Sequence, residues 1–462
     1  MAAFRARSSS VSLKSTPVTG KPRRANSTEW RPKPQGASRT RAPASSAAAP
    51  TIHSTSLAAS VGDANAWEIW GHASRKNRSL WNTASHCIEV RVPGASGVWP
   101  VTGAAWLRCI EVRVPGASGV WPVTGAARIR TACDIFPLMT TLVTGAFGCI
   151  GSWLVRGLLA AGARPVVFDI GDDPWRLRMI AGADVTSRVT IVRGDIADRD
   201  AVVRVVRDHG IRRVVHLAAW QVPLCRQDPS KGALINVVGT ANVFEAARAS
   251  EGRVERVVYA SSAAVFGSPD RYPPGPIKDD APRLPATHYG VYKVANEETA
   301  RVYWEEHRIP SMGFRPLSVY GPGRDFGVTA DPTLALKSAV LGRPFKIRWG
   351  GSTDLIYTED VARALLAAAA SRLEGARVYN LHGASVAIAG LVKMIAAAWP
   401  KAAGLITHVE QPIPFPAALD DARYQTDLGP APPTALTDGI KRTLDEFARL
   451  QTEGRLDARE LA

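Results

Sequence analysis

From residue 141 onward the chain alternates between two hydrophobic rhythms. Thr141-Leu-Val-Thr144, Pro165-Val-Val-Phe-Asp169, Val189 to Arg193, Arg213-Val-Val-His-Leu-Ala-Ala219 and Val254 to Tyr259 are short apolar or β-branched runs. Each reads as a buried strand. Between them the apolar positions recur at helical spacing. Ile150, Trp153, Leu154 and Leu158 share one helical face, and Leu234 to Ala249 has the same period. Strands alternating with helices predict an α/β fold built on a doubly wound parallel sheet with right-handed crossovers. Ligands bind such a sheet at the carboxyl ends of its strands. After Pro316 the alternation loosens. Pro332 to Leu341, Leu391 to Trp399 and Thr434 to Leu450 keep helical spacing, joined by Pro/Gly-rich loops. No window approaches the roughly 18 apolar residues that a membrane span needs.

The first third has neither rhythm. Residues 1–60 are rich in Ser, Ala, Arg and Pro, with Glu29 the one acid. That composition cannot bury enough surface to offset chain entropy, so residues 1–138 read as a disordered basic extension. An Arg/Ser-rich, acid-poor start also fits an organelle transit peptide or a nucleic-acid-binding arm. A further feature favours another origin. Cys87 to Ala105 reads CIEVRVPGASGVWPVTGAA, and Cys109 to Ala127 repeats all 19 residues unchanged at a period of 22. Structural repeats drift outside their buried positions and need about three copies to make a core. Two perfect copies point to a recent duplication outside the folded protein, with Met139 as the natural start.

Charge supports the same division. The net charge is +16, but residues 1–138 hold 18 Lys and Arg against 6 Asp and Glu, and the remaining 324 hold 39 against 35. The basicity that would suggest a nucleic-acid partner therefore belongs mainly to the extension. Five cysteines without paired spacing exclude a disulfide framework or a zinc ribbon, and a reducing compartment, the cytoplasm, is the default expectation.

The chemistry begins at the first strand. Gly145-Ala-Phe-Gly148-Cys-Ile-Gly151 lies between that strand and a helix. Glycines there let the backbone turn tightly and approach a pyrophosphate, which the helix N-terminus binds through free N–H groups. Asp169 ends the next strand, 18 residues after Gly151, where an acid bonds the adenosine ribose. Its alternative is a helix N-cap. Asp172 and Asp173 add negative charge that would repel a 2′-phosphate, which favours NAD over NADP. Further on, Ser261 and Ser262 close the fifth strand, and Tyr289 and Lys293 sit four residues apart on one helical face. An ammonium beside a phenol favours phenolate, and such a phenol takes a proton from an alcohol. A Tyr-x-x-x-Lys spacing is common by chance on amphipathic helices. Its order after the glycine turn and the serine strand is what gives it meaning.

In order, Thr144 to Gly151, Asp169, Gly194-Asp195-Ile196, His216-Leu-Ala-Ala219, Asp228-Pro229, Asn236-Val-Val-Gly-Thr240, Ser261 to Gly267, Tyr289 to Lys293, Phe314-Arg-Pro316 and Val319 to Gly323 resemble the extended short-chain dehydrogenase/reductases, the NAD-dependent epimerase/dehydratase family. Asp354 to Val361 and Tyr379-Asn380-Leu381 continue the likeness. The resemblance implies a Rossmann-type sheet over 139–316 and a smaller substrate-binding region, with returning sheet elements, over 317–462. It implies NAD held by Gly145, Gly148, Cys149, Ile150 and Gly151, with Asp169 on the ribose and Asp195 and Ile196 at the adenine. Leu217, Ala218, Ala219, Asn236 and Pro316 would complete the cofactor contacts. Tyr289 would be the acid/base, Lys293 would bond the nicotinamide ribose, and Ser262 would bond the reacting oxygen. A homodimer through helices near 236–249 and 289–307 is a further implication. No metal is expected.

Departures narrow the substrate. The family's dehydratases carry Asp-Glu directly after the catalytic hydroxyl, whereas Ser262 is followed by Ala263 and Ala264. Its sugar-nucleotide epimerases usually carry an Arg before the Asp that is Asp354 here, gripping the diphosphate, and this chain has Thr353. Nor does Gln411 to Pro416 offer the second Arg usual near the C-terminus; Arg324 and Arg348 are the candidates to replace the grip. The expected activity is therefore hydride transfer at a carbohydrate-like alcohol, by a sugar or nucleotide-sugar epimerase. The alternatives are a net dehydrogenase of a free sugar, sugar acid or other small hydroxy compound and, more distantly, a non-catalytic NAD-binding protein. His216, Cys149, Cys225 and Tyr292 read as packing residues, and Trp220 and Gln221 as either cleft or loop.

Overall fold

The computed structural model describes residues 140–461 and, ahead of them, only the strands Val90–Arg91 and Glu111–Val112. These two strands pair antiparallel, one from each copy of the repeat. The expectations of disorder and of a start at Met139 otherwise lie outside the described residues.

Seven parallel strands form the main sheet. In chain order they are β1 (Thr141–Thr144), β2 (Val166–Asp169), β3 (Thr190–Arg193), β4 (Arg213–His216), β5 (Arg256–Ala260), β6 (Ser311–Pro316) and, returning after a long excursion, β10 (Ala376–Leu381). The spatial order is β10-β6-β5-β4-β1-β2-β3. Alternate residues on each strand supply two cores. Val143, Val167, Val215 and Val258 pack beneath the helices Cys149–Ala160 and Thr358–Ala370, through Trp153, Leu154, Leu158, Val361 and Leu365. Leu142, Val166, Val214 and Val257 face the other way, against Val202, Val205, Val243, Phe244 and Ala300. Burial on both faces is why these strands read as continuous apolar runs. The pattern thus yields the doubly wound α/β fold that the sequence predicts.

Between β6 and β10, and after β10, lies a separate apolar core. Its strands are β7 (Ser318–Tyr320), β8 (Phe345–Ile347), β9 (Ser352–Tyr357), β11 (Ala384–Ala387) and β12 (Ile406–His408), in sheets ordered β11-β9-β7 and β8-β12. Helices Asp331–Leu341, Ile388–Ala398 and Leu436–Thr452 cover them through Leu336, Leu391, Ile395, Leu444 and Phe447. The single helix expected over Leu234 to Ala249 is composite. Leu234–Val238 is a π-turn leading into the α-helix Gly239–Ala249. None of the helices among the described residues is long and apolar enough to cross a membrane.

Candidate active site

The strand ends open into a cleft of about 570 Å³. Its first wall is the turn from β1 into the helix Cys149–Ala160. Gly145 takes φ +68°, and a Cβ there would lie 2.6 Å from the Ala218 backbone nitrogen, so the turn presses against the chain leaving β4. The helix starts at Gly148 with no side-chain cap and no acid in its first turn. Its N–H groups are therefore free for an anion.

Asp169 ends β2 and accepts hydrogen bonds from the backbone N–H of Phe147 at 2.9 Å and of Gly171 at 3.0 Å. It caps no helix, since the next one, Trp175–Ala181, is preceded by Pro174 without a side-chain cap. The expected contribution of Asp172 and Asp173 changes. Asp172 pairs with Arg193 and Asp173 with Arg178, so their charge is offset. The acidic character beside the glycine turn rests on Asp169. Ile196 is buried and lines the cleft with Asp195, whose carboxylate accepts from the Ala197 N–H.

The exit of β4 forms the floor. Thr144 Oγ1 accepts from the N–H groups of Leu217 (3.2 Å) and Ala218 (3.3 Å), and sits 2.7 Å from His216 Nδ1. On the other side, Thr240 Oγ1 donates to the Asn236 carbonyl at 2.7 Å and so accepts from His216 Nε2 at 3.1 Å. This network assigns the proton to Nε2. Burial, with the Lys293 charge beside it, pushes His216 down to about 3, so the imidazole stays neutral and structural. Asn236 does not face the cleft. Its Oδ1 accepts from the Trp220 N–H at 2.9 Å, and its Nδ2 donates to the Trp220 carbonyl at 3.1 Å and to Cys225. It stands behind the wall that Trp220 and Gln221 present to the cleft.

The reactive groups meet at the end of β5. Ser262 caps the short turn Ala263–Val265, its Oγ accepting from the Ala264 N–H at 3.1 Å. Tyr289 opens the helix His288–His307, whose cap is the Thr287 hydroxyl. A Cβ on Gly290 would fall 2.1 Å from the Ala264 carbonyl oxygen. Only a glycine lets this first turn close on the serine loop, and that contact brings Tyr289 beside Ser262. Lys293 is buried and donates to the Ala260 carbonyl at 2.7 Å, its amine 5.5 Å from the Tyr289 ring centre. Burial lowers the amine to about 8, opposed by the Glu297 charge. The phenol does not follow the sequence expectation. Burial raises Tyr289 above its ordinary value, and the groups pulling it back are Ser262, through a hydrogen bond, and the Arg324 guanidinium. Lys293 gives one of its three N–H donors to Ala260 and is not the charge that pulls the phenol back.

Cys149, Ile150, Gly151 and Pro316 line the same cleft, as do Leu217, Ala218 and Ala219. Burial drives the Cys149 thiol up to about 12, which leaves it inert as a nucleophile. Tyr292 packs away from the cleft and donates to the Pro229 carbonyl at 2.7 Å. The rest of the wall comes from distant segments: Gln221, Lys231, Leu317, Arg324, Val328, Thr329 and Phe415. Lys231, Val328, Thr329 and Phe415 carry no motif, and sequence reasoning missed them. Of the two candidate arginines only Arg324 reaches the cleft. Arg348 is bound to the buried Asp331 carboxylate at 2.6 Å. Thr353 is wholly buried and bonded to Ser318 at 2.9 Å. Ala263 and Ala264, which follow Ser262, line the cleft and bring no acid or base to it.

A parallel sheet with an uncapped glycine-turn helix, an acid at the end of β2 and a Ser, Tyr and Lys at the end of β5 defines a dinucleotide-dependent oxidoreductase. The family relationship is specific. Residues 141–381 match the model of the NAD dependent epimerase/dehydratase family. A UDP-glucose 4-epimerase of Mycolicibacterium smegmatis is 32% identical over 323 residues, which are 67% of this chain and 98% of that protein. Among solved structures, a UDP-glucose 4-epimerase of Thermus thermophilus in complex with NAD superposes with a TM-score of 0.58 at 28% identity, covering 67% of this chain and 99% of the other. A UDP-glucuronic acid 4-epimerase of Bacillus cereus, solved with UDP-glucuronic acid and NAD, gives 0.59 at 25%, covering 68% and 100%. The chain belongs to the NAD-dependent epimerase/dehydratase family and is an NAD-dependent enzyme of the extended short-chain dehydrogenase/reductase type. The residues present fit that cofactor: the helix N-terminus carries no competing acid, and the Asp169 carboxylate ends β2 against the glycine turn, accepting from the Phe147 N–H.

Proposed function

We propose that the enzyme oxidises a secondary hydroxyl of a carbohydrate-like substrate, with Tyr289 as acid/base. The observation that carries this reading is the meeting of Ser262, Tyr289 and Lys293 in one cleft, with Lys293 anchored to Ala260 and its amine 5.5 Å from the Tyr289 ring centre. NAD, when bound, supplies the hydride acceptor. Gly145, Gly148 and Gly151 with the helix they open would hold its pyrophosphate, Asp169 its adenosine ribose, and Lys293 its nicotinamide ribose. Ser262 would orient the substrate hydroxyl, and Tyr289 would take its proton and later return one. In the same reading residues 139–316 bind the cofactor and 317–462 mainly the substrate.

Epimerisation, in which the ketone is retained, turned and reduced again, is favoured by relatives that are UDP-sugar 4-epimerases. Net dehydrogenation of a free sugar or sugar acid is favoured by Thr353, a buried uncharged residue where a diphosphate grip is expected. Incubation with NAD and a panel of sugars separates the two. Accumulating NADH marks a dehydrogenase, and product without net NADH an epimerase. If Tyr289→Phe leaves turnover unchanged, the reading is wrong.

A homodimer is part of the proposal. Leu234 and Val238, leading into the helix Gly239–Ala249, and Val291 and Val302 on the helix His288–His307 are large apolar side chains left exposed. The free thiols Cys149 and Cys225 suit a cytoplasmic enzyme.

A further inference from the structure

We infer that Arg324 binds a carboxylate of the substrate close to the hydroxyl that Tyr289 deprotonates, so that the enzyme selects a carbohydrate-type hydroxy acid over a nucleoside diphosphate sugar. The inference rests on Tyr289 being the acid/base.

Arg324 lines the cleft with Ser262 and Tyr289. Its protein partners are neutral: Nη1 donates to Gln221 Oε1 at 3.2 Å and Nη2 to Thr329 Oγ1 at 3.1 Å. Nε is buried with no hydrogen-bond partner. No carboxylate among the described residues pairs with this guanidinium. The adjacent Asp325 is instead claimed by Arg176, which holds both its oxygens at 2.7 and 2.8 Å. A half-buried cation with uncommitted donors and no counter-charge is costly to the protein alone. A guanidinium matches a carboxylate through its fork of parallel N–H groups.

The fork is also held in place. Gly327, at φ +108°, brings the loop so close that a Cβ there would lie 2.1 Å from Gln221 Oε1 and 3.2 Å from Arg324 Nη2. The remaining cations of the cleft are differently engaged. Lys293 is bonded to Ala260, and Lys231 lies 5.1 Å over the Trp220 ring. Val328, Leu317 and Phe415 add apolar surface to the same cleft.

Position decides between anions. Arg324 lines the cleft with Ser262 and Tyr289, and Gln221 and Thr329 hold its two Nη groups there. A nucleotide sugar carries its phosphates on the anomeric carbon, across the ring from a reacting 4-hydroxyl. A sugar acid can carry its carboxylate on the carbon next to the reacting one; a nucleotide-linked uronic acid can too, but Thr353, buried and uncharged, leaves its diphosphate without a grip.

The test uses the full-length enzyme saturated with NAD. Calorimetric binding, NADH formation and chromatographic product formation are measured with aldonic and uronic acids of three to six carbons, with glucose, and with UDP-glucose. We expect binding and turnover within the acid series, and neither glucose nor UDP-glucose as an efficient substrate. Arg324→Gln should raise KM for the acid at least tenfold and leave the Kd of NAD unchanged, and Arg324→Lys should restore part of the loss. UDP-glucose turned over with the acids inert overturns the inference and leaves Tyr289 chemistry standing. Acid affinity unchanged in Arg324→Gln overturns it too, as does failure of every acid to bind. Failure of the acid/base reading is separate: acids bind and react as before in Tyr289→Phe.

Discussion

Glu297→Gln is a change of one charge at constant shape, and the structure makes it expensive. Tyr289, Lys293 and Glu297 recur every four residues along one face of the helix His288–His307. Glu297 is 1% exposed and accepts from Arg315 Nε at 2.7 Å and Nη2 at 2.6 Å, and from the Ser261 hydroxyl. Arg315 is 4% exposed, donates also to the Asp279 carbonyl at 2.8 Å and lies 5.1 Å over the Phe266 ring. Glutamine would keep one acceptor but turn an amide NH₂ toward donors, and Arg315 would become a buried cation without its partner. Removing one member of such a pair costs about 3–5 kcal/mol. Since one acceptor remains, the lower end, about 3 kcal/mol, is expected. With a urea m-value of about 3 kcal/mol/M the unfolding midpoint should fall by about 1 M. Replacing both partners with methionine should recover more than half of the loss, because no charge is then left stranded. Urea unfolding followed by circular dichroism measures both variants. A loss under about 1 kcal/mol in Glu297→Gln would show that water screens the pair, and the reasoning would fail.

Three other outcomes follow from the geometry. Gly145→Ala should cost about 1–2 kcal/mol in left-handed backbone strain alone, before its clash with Ala218; NAD affinity by fluorescence should drop at least tenfold, and an unchanged Kd would refute the close approach. His216 is held near 3 when folded against 6.5 in the ordinary state. Below pH 6.5 the unfolded chain takes up a proton that the folded one refuses, so stability should fall as pH drops from 6.5 toward 3. An NMR resonance of His216 titrating near pH 6.5 would contradict this. Val291→Lys, at an apolar position 49% exposed, should convert a dimer to monomers in light scattering while the circular-dichroism spectrum of the folded chain is kept, and a dimer that persists would move the interface elsewhere.

Much of the fold was legible because its signals are local. A β-branched run, a glycine turn and a helical stripe within a couple of dozen residues set β1, its helix and β2. The Tyr289 and Lys293 pair was legible for the same reason, since one turn of helix aligns them. What escaped depends on partners far apart in sequence. Asp172 and Asp173 read as free charge, and only the fold brings Arg193 and Arg178 onto them. Asn236 reads as a cofactor contact by its place in a motif, whereas its side chain closes on Trp220, sixteen residues earlier.

The substrate end shows why such distance matters more for specificity than for fold. Gln221 follows β4, Arg324 and Thr329 sit in the loop after β7, and Phe415 lies beyond β12, yet all four line one cleft. None has a periodic neighbour that would mark it. Each strand end is fixed by backbone pairing and core packing, so these loops can vary without disturbing the sheet. The absence of an arginine at 353 is visible in one residue of sequence. Its consequence is not, because Thr353 is sealed against Ser318 while Arg324, one cleft wall away, keeps an unpaired Nε. The cofactor half is therefore constrained by local geometry shared across a family. In the proposed reading the substrate half turns on where one guanidinium stands relative to Tyr289, and no local run of sequence carries that distance.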